Sequence, residues 1–298
     1  MSDALLRSTQ PASKPRRALR AALYIVGALL LGGAVWFALR DRDAAWAAWR
    51  HARTAPWWHV GALLVAPVVS WGLTSWMFAA LTRRYARVGT GEMSALIGAS
   101  WLLNYLPFRP GLVGRVAYLK AVHGVPVAEA LVINVLAVGA TLAAAAIGLC
   151  AWLVARGAPS AGLLGVGLPL AGVVVAGVIG VLVFRSRAPA SADLCLALVL
   201  RTLDMMLAAA RLWLAFGLIG TPISATEAVF LAGPSQVVGL LPIQLGTVEW
   251  TVGLLSAATS EGVTAAVVNR SADLLVSLVV GTASMLMLAR ARARIRAT

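Results

Sequence analysis

Cysteine is nearly missing from this chain of 298 residues: Cys150 and Cys195 are the only two, each inside an apolar stretch. Two isolated thiols exclude both a disulfide framework and a zinc cluster. Histidine is as scarce. His51, His59 and His123 stand apart, and no HExxH, GxSxG, phosphate-cradling glycine loop or paired-aspartate motif occurs. No catalytic residue, metal or cofactor is therefore expected; an intramembrane transferase built on Arg/Asp pairs is the enzyme alternative. Charge is thin as well, at 12% of residues, whereas 60% are hydrophobic. A soluble domain cannot bury that much apolar surface, so the composition reads as an all-α integral membrane protein.

What charge there is leans one way, with 25 Lys and Arg against 11 Asp and Glu and a net charge of +14. The basic residues gather at the ends of apolar stretches, as cytoplasmic loops do, and no nucleic-acid partner is expected. Some of them suit contact with anionic headgroups. Residues 1–17 read as a disordered basic cytoplasmic tail. The first apolar run lacks a small-residue cleavage site and reads as a retained span.

Six stretches, 19–39, 57–81, 127–155, 160–184, 193–219 and 263–289, are long enough to cross the hydrocarbon as helices. Two more, 92–123 and 225–260, are broken near the middle by proline and glycine. Half-helices of about 15 residues reach only about 22 Å, so each region reads as a re-entrant hairpin. The basic residues at 83–87, 109–120, 185–187 and 290–296 then fall on the inside, and both termini are cytoplasmic. The segment 40–53, with four arginines partly balanced by Asp41 and Asp43, is the exception and must lie outside.

Glu92 and Glu227, Pro107 and Pro242, Gly111 and Gly246, and Asn134 and Asn269 are each 135 positions apart. The order span, span, broken hairpin, span occurs twice. This divides the chain into a first membrane repeat, 18–156, a second, 160–290, and a basic cytoplasmic tail, 291–298. Three crossings per unit turn the second copy upside down. Inverted repeats with broken helices are the mark of secondary transporters. Irregular backbone at membrane depth is tolerated where it lines a wet cavity.

Several polar residues are candidates for binding a substrate. Arg109 and Arg115, in and beyond the first hairpin tip, suit a phosphate through a bidentate fork. Arg201, Asp204 and Arg211 share a helical face, and Arg270 and Asp273 follow three apart. Charges inside a span face an interior or a cavity. Arg201–Asp204 and Arg270–Asp273 read either as structural pairs or as part of the site, with Arg211 the surplus charge. Glu249, after the second break, has three open readings: a partner for an arginine of the other hairpin, a carrier of a coupling proton, or a solvated outer-leaflet carboxylate. Glu92 and Glu227 read as helix-start caps. Asn134 and Asn269 read as hydrogen-bonding groups between helices.

The segment "NYLPFRPGLVGR" resembles the Asn-x-x-Pro-x-x-x-Gly-x-x-x-Arg signature of the lysylphosphatidylglycerol synthase transmembrane-region family. "LPIQLGTVEW", followed by "NRSADLL", is similar to that family's second hairpin and closing arginine. By position, Asn104, Pro107, Gly111, Arg115, Pro242, Gly246, Glu249 and Arg270 match, over a resemblance that covers about residues 20–290. Leu112 and Val113 stand where the family commonly has an acid. The family includes the flippase domain of the multiple peptide resistance factor. The resemblance implies translocation of an anionic phospholipid, a modified lipid or a polyprenyl-phosphate-linked lipid in a bacterial cytoplasmic membrane. No soluble aminoacyl-transferase domain is expected to follow, and lysine transfer is not expected of this chain alone. A non-transporting scaffold for a lipid-modifying or glycosylation enzyme is the alternative.

Overall fold

The computed structural model describes residues 32, 36, 42–106, 109–157, 190–241 and 246–297. The span read at 19–39, apart from Gly32 and Trp36, the span read at 160–184, the tail 1–17 and the hairpin prolines Pro107 and Pro242 lie outside the described residues. Among the described residues the chain is helical, without a strand. The helices are α1 (Arg42–Thr54), α2 (Trp57–Thr82), α3 (Thr90–Asn104), α4 (Pro110–His123), α5 (Val127–Ala155), α6 (Ser191–Leu218), α7 (Ala225–Val238), α8 (Thr247–Leu255) and α9 (Thr259–Ala297).

Proline sets several starts. Pro56 and Pro126 stand immediately before α2 and α5, and Pro110 opens α4. A fixed φ and a missing N–H cost nothing at a first turn. Gly220, at φ 84°, ends the turn after α6, and the Thr221 N–H closes back on the Phe216 carbonyl at 3.1 Å. Ser224 and Glu227 form a reciprocal capping box at the start of α7, in line with the capping role read for Glu227. Glu92 stands likewise in the first turn of α3, and its carboxylate in addition accepts from Tyr118 at 2.6 Å and meets His123 at 2.9 Å, tying the start of α3 to α4.

Among the described residues three helices are long and apolar enough to cross a membrane: α2, α5 and the Thr259–Arg290 stretch of α9. α6 has 28 residues but carries Asp193, Arg201, Asp204 and Arg211, and it is not among the three. Large apolar side chains stand outward, Val65, Val68 and Val69 on α2 and Leu274, Leu275, Leu278 and Val279 on α9. Apolar surface of this extent suits lipid better than water. α9 runs on through the basic positions read as a tail and stays helical to Ala297.

One core gathers side chains of α2, α3, α4 and α5, with Ala197 and Leu200 at the start of α6. A second gathers those of α6, α7, α8 and α9. The cores interlock. α3 packs on α9, and α7 packs on α5, while α2 and α6 pack on each other. Exchanging α2–α5 for α6–α9 maps these packed pairs onto one another. A small residue opens both cross-packings. A Cβ on Gly98 of α3 would stand 2.3 Å from the Ser284 Oγ of α9, and one on Gly233 of α7 would stand 3.3 Å from the Ala145 carbonyl of α5. Gly98 and Gly233 are 135 positions apart, the spacing of the sequence repeat. Small residues of this kind let backbones approach in a membrane bundle.

Candidate functional site: a cationic cavity between the hairpins

The broken regions are two helix pairs, α3–α4 and α7–α8. At the first break Arg109 takes a left-handed conformation with φ 49°, alone among the described non-glycine residues. A left-handed backbone at a residue with a Cβ costs about 1–2 kcal/mol and needs compensation. Its guanidinium provides it by donating to the carbonyls of Leu240 at 3.0 Å and Gly239 at 2.7 Å. These carbonyls end α7, where orphan acceptors and the negative end of the helix dipole favour a cation. Gly111 sits one residue into α4, and a Cβ there would lie 2.2 Å from the Ser100 carbonyl. At the second break Gly246 supplies a positive φ of 84° before α8.

Between the hairpins lies a cavity of about 230 Å³ with walls from α2, α3, α6, α7, α8 and α9 and from the tip residue Arg109. Its charged lining is Arg109, Arg201, Arg211 and Arg270 against Asp204 and Asp273, a formal charge of +2. Asn104 lines it too, and its buried Oδ1 has no hydrogen-bond partner.

α6 supplies three of the charges. Arg201 pairs with Asp204, and its other nitrogens donate to Thr141 Oγ1 at 3.0 Å and Gln236 Oε1 at 2.8 Å. Asp204 also accepts from Ser70 of α2. Arg211 pairs with Asp273 of α9 and donates through Nε and Nη2 to Asn269 Oδ1 at 3.1 and 2.9 Å. Asp273 therefore reaches another helix besides standing three residues from Arg270, and Arg211 is not the surplus charge. Arg270 lies over the Tyr105 ring, 4.7 Å from its centroid, with Nε 3.9 Å from Glu249 Oε1. Glu249 is fully buried beside the cavity wall, so the reading of a solvated outer carboxylate does not hold. The arginine facing it belongs to α9, not to the other hairpin.

Seven of the nine sequence candidates thus meet at one cavity: Asn104, Arg109, Arg201, Asp204, Arg211, Arg270 and Asp273. Glu249 sits behind Arg270. Arg115 is elsewhere: it is buried in the first core, its guanidinium 3.9 Å from the Phe78 ring centroid, and it donates to Asn134. It borders a second, mainly apolar cavity between α3, α4 and α9. Sequence reading missed Ser70, Thr141, Gln236 and Tyr105. Their one signal is polarity within an apolar run, which many serines and threonines here share.

Geometrically the cavity suits an anion of modest size, because fixed donors of net positive charge converge on it. Among the described residues no three His, Cys, Asp or Glu side chains gather as metal ligands. No protein-family model matches the sequence, and no curated protein matches it either.

Proposed function

We propose that the protein is a lipid translocator of the lysylphosphatidylglycerol synthase transmembrane-region type. It carries an anionic headgroup of a phospholipid, modified lipid or polyprenyl-phosphate-linked lipid between the leaflets of a bacterial cytoplasmic membrane. In this reading six spans and two re-entrant hairpins form an inverted repeat with both termini cytoplasmic. The α3–α4 and α7–α8 pairs dip in from opposite leaflets. Support for the repeat comes from the exchange of packed pairs between α2–α5 and α6–α9, and from Gly98 and Gly233 at matched cross-packings.

The observation that carries the reading is the cavity of about 230 Å³ with four arginines against two aspartates, inside a molecule whose exterior is apolar. Moving a charged headgroup across hydrocarbon is costly, and a polar path lined by compensating charge lowers that cost. Pockets for drug-sized ligands run from about 300 to 1,000 Å³. This cavity therefore fits a headgroup while the acyl chains stay in the bilayer.

The test is reconstitution in phosphatidylcholine vesicles with a trace of fluorescently labelled phosphatidylglycerol, scored by dithionite quenching. Wild type is expected to move label between leaflets. Arg270→Lys and Arg211→Lys keep the charge but lose the planar fork, and about 1.5 kcal/mol per charged hydrogen bond predicts rates down about tenfold. Unchanged rates in both variants, in monodisperse protein, would remove the cavity from the transport path. Protein that moves no label but purifies in fixed ratio with a lipid-modifying or glycosylation enzyme would instead support the scaffold reading.

A further inference from the structure

Glu249 is the least satisfied charge-bearing side chain near the cavity. It is 0% exposed, and neither Oε1 nor Oε2 accepts a hydrogen bond. The N–H groups of Gly246 and Glu249 itself, at the first turn of α8, lie beside the carboxylate without hydrogen-bond geometry. The facing charges are few. From α9 come Arg270, with Nε 3.9 Å away, and Asp273, whose carboxylate pairs with Arg211. α7, the other helix packed on α8, carries one titratable residue, Glu227, held in the capping box at its exposed start. Arg270 is thus the cation that faces Glu249, and it also lines the cavity.

An isolated carboxylate in a dry interior takes a proton rather than remain charged. We propose that Glu249 is a proton-binding site linked to anion occupancy of the cavity. An anionic headgroup that engages the Arg270 guanidinium draws it away from Glu249, whose carboxylate then takes one proton from cavity water to become the neutral acid. Charge is conserved at the site: the ion pair Arg270–Glu249 becomes the ion pair Arg270–headgroup beside a neutral carboxyl. Release of the headgroup returns the guanidinium to Glu249 and the proton to water. A lipid and a proton would then cross together, as an electroneutral symport.

The inference rests on the translocator reading, and the experiment separates the two. Vesicles as above are given a gradient of one pH unit, with the membrane potential clamped by potassium and valinomycin. Coupling of one proton per lipid sustains about a tenfold excess of label in the alkaline-facing leaflet, since one pH unit equals about 1.4 kcal/mol. Wild type and Glu249→Asp, which keeps a carboxyl, are expected to build that excess, and Glu249→Gln is expected to lose it. Label that moves but stays equally divided in wild type, or an excess built by Glu249→Gln, overturns the inference and leaves translocation standing. Absence of label movement by wild type strikes at translocation itself. If Glu249→Gln does not fold, infrared difference spectra of wild type decide. A protonated-carboxyl stretch that grows when phosphatidylglycerol is added supports the proposal, and its absence overturns it.

Discussion

Arg109 donates to the Gly239 carbonyl at 2.7 Å, so the tip of the first hairpin caps the helix that ends at the tip of the second. A single side chain thereby couples the two broken regions across 130 positions of sequence. Replacement by alanine removes two charge-assisted bonds and keeps the left-handed backbone, for an expected loss of about 2–3 kcal/mol. Arg109→Gly loses the same bonds but relieves about 1 kcal/mol of backbone cost. Thermal unfolding in detergent should therefore rank wild type above glycine and glycine above alanine. Equal midpoints would mean that the cap contributes nothing.

Arg115 and Asn134 form a buried pair with no carboxylate in ion-pair contact with the guanidinium among the described residues. Asn134→Leu strands a buried cation and should cost about 3 kcal/mol or more. Arg115→Met leaves only a neutral acceptor unsatisfied, a loss of about 1–3 kcal/mol. Both together replace the pair by apolar bulk, and the double variant is expected to be more stable than the sum of the two losses. A strictly additive double-mutant cycle would contradict this account.

Gly98 and Gly233 make a matched pair of tests. Gly98→Val puts a branched side chain where the Cβ alone already meets Ser284 at 2.3 Å and Val280 at 3.1 Å. Separation of α3 from α9 should cost about 1–3 kcal/mol or more. Gly233→Ala meets a backbone carbonyl at 3.3 Å, a tighter contact than most but not an overlap, and should cost less. The ranking is read from the fraction of monodisperse protein after a heat challenge.

Ser224→Ala removes one arm of the capping box and is expected to cost about 1 kcal/mol. The remaining arm titrates. The Ser224 backbone N–H and then its hydroxyl hold the Glu227 carboxyl below its ordinary value of 4.5, with help from Arg156. A carboxyl with a lowered folded value stabilises fully above about pH 4.5, and the contribution drains away as pH falls through that lowered value. Glu227→Gln should flatten this acid limb of the stability profile. An unchanged limb would show that other carboxylates set it.

The helices were legible because proline, glycine and apolar length are local signals. The span read at 127–155 is α5 to the residue, and 57–81 and 193–219 differ from α2 and α6 by one or two positions at an end. α3 ends at Asn104 and α4 begins at Pro110, and α7 ends at Val238 and α8 begins at Thr247, so the helix ends flank Pro107 and Pro242 of the sequence. Pairing was less legible. The spacing of Arg270 and Asp273 suggested a local partnership, yet Asp273 reaches Arg211 on another helix. Helical periodicity fixes which face a charge occupies, but not what stands opposite. Arg115 shows the same limit: its place in a motif said nothing of the Phe78 ring that shields it.

The cross-packing of α3 on α9 and α7 on α5 bears on how the molecule is made. Synthesis delivers α3 before α9 exists, so the face of α3 around Gly98 waits through the making of α4 to α8 for its partner. Assembly of α2–α5 is thus completed by a helix made after the whole of α6–α8. A ribosome that stalls before residue 259 leaves both Gly98 and the first hairpin without their seat, and quality control in the membrane has an open surface to recognise.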